Sequence, residues 1–255
     1  MHRCIRVVTL LGASAALVAC GGDERRADAT PTPTPTPTAA PPAATATPAP
    51  PPIPKPVRVR FRATDGVRLK GRLVPGAGRR APAVVLVHQS DGGPDQWDEL
   101  VPYLHQAGFA ALTYTSRAMP DRMNETHNAR DVAGAIRALR RRPDVDGRRV
   151  AAVGASIGAA AVAYLGFTPT GKRLPAIVGL SPAPFTDAPP EGRRPHDMLL
   201  ISDAAERSDA EFIASGERGI TLRTAPVDGH GVALLADERV REQVLAWLSR
   251  RLRRR

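Results

Sequence analysis

The chain has 255 residues, a 42% apolar share and a formal net charge of +11, which leaves room for one sizeable folded body and a tail. Its two cysteines are Cys4 and Cys20, so the body beyond them has no disulfide framework and must be held together by burial. The positive balance rests mostly on arginine, with lysine only at 55, 70 and 172. Outside the cytoplasm it suits anionic headgroups or acidic wall polymers better than nucleic acid, against the plainer reading of a solvated basic surface.

The N-terminus begins with a short basic stretch (His2, Arg3, Arg6), then an apolar run over 7–19, then Cys20. That run is shorter than the about 20 residues that cross a bilayer and has the form of a secretory signal. Leu17-Val18-Ala19-Cys20 resembles the lipobox of bacterial lipoproteins. The resemblance implies a signal peptide over 1–19, diacylglycerol on the Cys20 thiol, and a protein of the cell envelope held to a membrane through its N-terminal lipid. Residues 20–56 hold Thr-Pro repeats at 30–38 and further Pro/Ala sequence. Proline fixes φ and removes amide donors, so this stretch predicts an extended spacer of about 3 Å per residue.

From residue 57 to 255 short apolar runs alternate with helical stretches. Segments 57–62 and 67–73 alternate around Thr64-Asp65-Gly66 and predict a β-hairpin. Residues 83–87 form a continuous apolar run suited to a strand buried on both faces. Helix over 96–106 and strand over 110–114 follow, then helix over 128–141, strand over 150–153, helix over 157–165, and strands over 176–180, 198–201 and 221–225. A last helix runs from about residue 237 to 254 and is rich in arginine, which offers it as a face for anionic headgroups. Such alternation predicts an α/β body with a mostly parallel sheet covered on both faces, whose reactive groups gather at the C-terminal strand ends.

The strongest chemical signal is 150–158, Val-Ala-Ala-Val-Gly-Ala-Ser-Ile-Gly, a buried strand ending in G-x-S-x-G and running into an Ala-rich helix. A sharp strand-to-helix turn excludes side chains at its two outer positions and lifts the Ser156 hydroxyl above the sheet edge. It also aims the Ile157 amide and the helix dipole at an oxyanion formed there. On this motif, and on the Asp146-Gly147-Arg148-Arg149 approach to it, residues 57–255 resemble the α/β-hydrolase superfamily, in particular its compact dienelactone-hydrolase-like and acyl-peptidase-like members. The resemblance implies the order nucleophile, acid, histidine.

His230, in Val227-Asp228-Gly229-His230-Gly231, lies between the last strand and the C-terminal helix, where a loop can bring a base to the serine. It also matches the family's catalytic histidine. His88 ends the third strand and is expected to order the adjacent loop. Asp203, Glu206 and Asp209 all follow the 198–201 strand; similarity to the family's strand-loop-acid pattern favours Glu206, with Asp209 second. The loop His88-Gln89-Ser90-Asp91-Gly92-Gly93 resembles the family's oxyanion loop, with the Ser90 amide as first donor and Gln89 next.

Only a short Pro-rich connection lies between 180 and 198, where relatives insert a helical cap, so no large cap is expected and the site should be open to small esters. No cluster has metal-ligand spacing and no dinucleotide fingerprint occurs, so no cofactor is expected. These features predict a monomeric serine hydrolase acting on a small-molecule ester or thioester, with no nucleic-acid partner. The competing reading is a tethered, non-catalytic binding module on the same fold. The enzyme reading requires the hydroxyl at 156 and the imidazole at 230 to meet at one sheet edge.

Overall fold

The computed structural model describes residues 52–253, apart from residues 91, 118–123, 191–194 and 196. The lipobox, Cys20 and most of the spacer therefore lie outside the described residues. From Pro52 to Pro56 the chain has no regular structure, as three prolines in five residues require.

Strands β1 (Val57–Arg62) and β2 (Arg68–Val74) form the expected antiparallel hairpin, with Val57 opposite Leu73 and Arg62 opposite Arg68. Six more strands follow: β3 (Ala81–Val87), β4 (Ala110–Tyr114), β5 (Val145–Ala155), β6 (Ile177–Leu180), β7 (Met198–Ser202) and β8 (Ile220–Thr224). They join in one sheet of order β1-β2-β4-β3-β5-β6-β7-β8. All pairings from β4 to β8 are parallel, and only β2 runs against its neighbours.

Successive side chains on a strand point to opposite faces, so each apolar strand feeds two cores. Val85, Leu112, Ala152, Ile177 and Leu200 pack on one face against α2 (Glu125–Arg140) and α3 (Ile157–Gly166), with α4 (Arg207–Ala214) joining them. Val84, Leu86, Val153, Val178 and Ile201 pack on the other against α1 (Val101–Gln106) and α5 (Glu238–Leu252). The mostly parallel sheet with helices on both faces is the expected architecture. Between β6 and β7 the described residues contain neither helix nor strand.

Two helices depart from expectation. Residues 96–106 do not form one helix: a 3₁₀ turn at Pro94–Trp97 precedes α1, which has Pro102 in its first turn. Proline lacks the N–H that a longer helix would need there, so the α-helix can begin only just before it. Helix α2 begins three residues earlier than the apolar spacing suggests, because the Asn124 side chain caps it by accepting from the His127 amide at 2.9 Å.

Candidate active site

Strand β5 hands over to α3 at Ser156, whose backbone sits at φ 52° and ψ −118°. A non-glycine residue at positive φ is strained and persists only where its surroundings hold it. Here both flanks hold it. A Cβ on Gly154 would lie 2.1 Å from the Gly158 carbonyl oxygen, and one on Gly158 would lie 2.3 Å from that of Val87. Both outer glycines are thus sterically required, as the tight turn predicts. The Ser156 amide donates to Leu180 O at 2.9 Å, and the Ser156 carbonyl accepts from Ala160 at 2.9 Å and Ala183 at 3.3 Å. Ile157 opens α3, so its amide is among the donors that a helix N-terminus leaves without an intrahelical partner.

The loop that carries His230, the expected base and here termed the base loop, follows β8. His230 Nδ1 lies 2.7 Å from Glu206 Oε1, at a half-open position where the two side chains are 48% and 34% exposed. Of the three carboxylates after β7, only Glu206 hydrogen-bonds the imidazole among the described residues. Asp209 sits in the first turn of α4. Asp203 is buried and turns both oxygens to backbone donors, accepting from the Glu206 amide at 2.9 Å and the Gly229 amide at 3.1 Å. It therefore ties the acid loop to the base loop, and those amide bonds, Gly229 first, hold its carboxyl below the usual range.

Backbone packing brings the base loop to the serine. A Cβ on Gly231 would lie 3.4 Å from Ala155 Cβ, so the residue after the imidazole meets the residue before Ser156. Among the described residues no hydrogen bond joins Ser156 Oγ to the His230 ring. Such bonds are often long in a ligand-free site and tighten only around substrate.

The oxyanion loop corrects one expectation. The Gln89 amide is not available as a donor, because it is held by the Gln96 side-chain oxygen at 3.2 Å. Its side chain does something else: Gln89 Oε1 accepts from the Val232 amide at 3.1 Å, tying this loop to the base loop. His88 orders the loop as expected. Its Nε2 accepts from the Ser116 amide at 3.1 Å, which leaves the proton on Nδ1, 2.7 Å from Gln89 O. With every described peptide trans, fixing the Gln89 carbonyl points the Ser90 N–H in the opposite direction within the peptide plane, away from His88. Ser90 and Ile157 share a cavity of about 110 Å³ with Ser116, Arg117 and Asn128.

Three buried charged residues escaped the sequence reading. Arg117, on the cavity wall, is clamped between Asp131 and Asp65, with its Nε 2.9 Å from Asp131 Oδ1 and a guanidinium nitrogen 2.7 Å from Asp65 Oδ2. Burial alone would lower its pKa, but the bonds to Asp131 and Asp65 outweigh this and raise it. Glu125, 1% exposed, accepts from the Thr186 and Asp187 amides at 2.8 and 2.6 Å, pinning the β6–β7 connection to the start of α2. An acidic residue after a capping asparagine signals a helix start, but nothing in the sequence signals that its carboxylate is spent on a segment about sixty residues away.

No family model matches the sequence. Over 126 residues the chain is 34% identical to an uncharacterized protein of Mycobacterium tuberculosis, the same in two strains. That match takes in 48% of this chain and 43% of the relative, so it spans less than half the relative's length. Among solved structures, an esterase from Pyrococcus furiosus matches with TM-score 0.61 at 16% identity, over 78% of this chain and 93% of its own. A dienelactone hydrolase from Anabaena variabilis matches with TM-score 0.60 at 19% identity, over 77% and 97%. A hyperthermophilic esterase from Pyrobaculum calidifontis gives 0.63 at 16%, over 78% and 86%. The body has the α/β-hydrolase fold; identities this low speak for the fold alone.

Proposed function

We propose that the chain is an exported, lipid-anchored serine hydrolase that cleaves an ester or thioester through an acyl-enzyme. The observation that carries this reading is the strained Ser156, locked between two glycines that admit no side chain, beside a base loop in which Glu206 accepts from His230. The esterases and dienelactone hydrolase with which it shares its fold support a hydrolase.

In this mechanism Glu206 holds the Nδ1 proton, which leaves the Nε2 lone pair of His230 free to take the Ser156 proton. Oγ attacks the carbonyl carbon, and the Ile157 and Ser90 amides hold the oxyanion. His230 then gives its proton to the departing alcohol or thiol. Water repeats the sequence on the acyl-enzyme and releases the acid. Gln89 serves by tethering the oxyanion loop to the base loop rather than by donating its amide.

A fluorophosphonate probe tests this, since it phosphonylates only an activated serine. Wild type should be labelled and Ser156→Ala should not. The missing resting bond between Ser156 and His230 favours the second reading, a non-catalytic binding module, and an unlabelled wild type would select it. The small cavity beside the oxyanion amides also predicts a short acyl group. In a series of esters of increasing acyl length, kcat/KM should fall by about tenfold or more between acetyl and octanoyl; a flat or rising series would show that the acyl chain lies elsewhere.

A further inference from the structure

The β1–β2 hairpin has two unlike faces. Phe61, Leu69 and Leu73 turn inward to the core shared with α2. The other face carries a ladder of cations in direct cross-strand register: Arg58 opposite Arg72, Arg60 opposite Lys70, and Arg62 opposite Arg68. Like charges facing one another across a hairpin destabilise it, so folding does not account for three such pairs in succession. Acidic neighbours offset only one end, where Arg72 meets Asp95 at 2.5 Å and Asp98 at 3.4 Å. Among the described residues Arg58, Arg60, Arg68 and Lys70 have no ion pair. Arg58, Arg60, Lys70 and Arg72 line an open groove of about 420 Å³.

The basic C-terminal helix uses part of its charge within the molecule. Arg241 is buried and bonds Glu99 and the Ala236 carbonyl, and Arg251 stacks on Trp247 while pairing with Asp197. Arg239 pairs with Asp237, and Arg253 caps the Ala107 carbonyl. Arg239, Arg250 and Arg253 nevertheless stay exposed, so α5 keeps part of its expected positive surface, while the hairpin carries its cations as a cross-strand ladder.

We propose that the outer face of the β1–β2 hairpin is a docking surface for an anionic phospholipid bilayer. Charge complementarity is the first reason. A second is apolar: Ile53, one of the exposed large apolar side chains among the described residues, lies beside Arg72, whereas Val57 alternates with Phe61 and points to the opposite face. An exposed apolar group at the margin of a cation ladder suits the headgroup boundary of a bilayer better than a soluble polyanion. Connectivity is the third, because the chain leading from Cys20 joins the body at Val57, next to the ladder's first cation. Across β2, β4 and β3 the register sets Val57 level with Ala152 and Arg58 level with Val153, so the ladder starts at mid-sheet and rises along β1 toward the edge that carries Ser156.

The test uses the full chain with Cys20→Ser, so that no acyl group contributes, and vesicles of phosphatidylcholine with or without phosphatidylglycerol. Each cation near an anionic surface strengthens binding roughly fivefold, so the triple variant Arg58→Gln, Arg60→Gln, Lys70→Gln should partition about 100-fold more weakly onto the anionic vesicles, with a melting temperature no lower than that of wild type. High salt should weaken wild type in the same direction. The apolar N-terminal run is common to both proteins and cancels in the comparison. Equal partitioning of the two, or equal wild-type binding to pure phosphatidylcholine, would overturn the proposal. So would displacement of wild type from vesicles by polyphosphate at matched charge, which would assign the ladder to a soluble polyanion. None of these outcomes depends on Ser156 chemistry.

Discussion

Replacing Glu206 with glutamine is expected to lower kcat roughly 10⁴-fold, the order seen when the acid of a Ser-His-acid triad loses its charge. In the proposed mechanism the carboxylate does two things that an amide cannot do together: it accepts the Nδ1 proton in one tautomer only, and it opposes the charge that His230 gains in the transition state. The neighbouring carboxylates make the comparison informative. Asp209→Asn should change kcat by less than about threefold, because that side chain leads α4 and does not touch the imidazole. Asp203→Asn should fall between the two. Both Asp203 oxygens accept from backbone amides, and an amide nitrogen in place of either oxygen sets donor against donor, loosening the Glu206 or the Gly229 end of the tie. Steady-state kinetics on a soluble short-chain ester would rank the three. A larger loss in Asp203→Asn than in Glu206→Gln would move the acid to position 203.

What the sequence discloses follows from where each constraint is encoded. The elbow at Ser156 is legible because its requirement is local: two positions that exclude a Cβ must be glycine, and the strand and helix on either side are contiguous in the chain. The sheet is legible because buried strands are written as unbroken apolar runs. Glu206 emerged only through a family resemblance, since three carboxylates follow β7 at spacings that local reasoning does not separate. Gln89 was assigned an amide role because nothing in the sequence says that Gln96, seven residues later, takes that amide. Glu125 and Asp131 carry no local signal in the sequence, because their burial depends on partners from 14 to about 60 residues away in the chain. Of the arginines of α5, Arg241 is buried and Arg251 pairs with Asp197, while Arg239 and Arg250 stay exposed. Charge is visible in a sequence, but whether it is already paired is a property of the fold.

Replacing Arg117 with alanine should destabilise the body by roughly 3–5 kcal/mol, because it strands the fully buried Asp131 carboxylate without a counter-charge. At about 2–4 °C per kcal/mol for a body of this size, the melting temperature should drop by on the order of 10 °C. The deficit should depend on pH, with a sign set by Asp65. Its hydrogen bond from Arg117 comes first among the causes that hold this carboxyl below its usual range. A carboxyl depressed in the folded state contributes stability above its unfolded pKa, and that contribution is lost as pH falls through the folded value. The gap between wild type and Arg117→Ala should therefore be widest near neutrality and should narrow below about pH 4. Melting curves across that range are the measurement. A variant that melts within about 2 °C of wild type at neutral pH would mean that Asp131 finds another partner, and a gap that widens on acidification would contradict the assigned role of Asp65. The consequence reaches the site through the backbone. The segment that carries Arg117 also presents the Ser116 amide to His88, and His88 sets the Gln89 carbonyl that orients the Ser90 amide. Well below its melting temperature the variant should lose kcat more than it gains KM, since what loosens is a donor needed for the oxyanion rather than a contact with the bound ester.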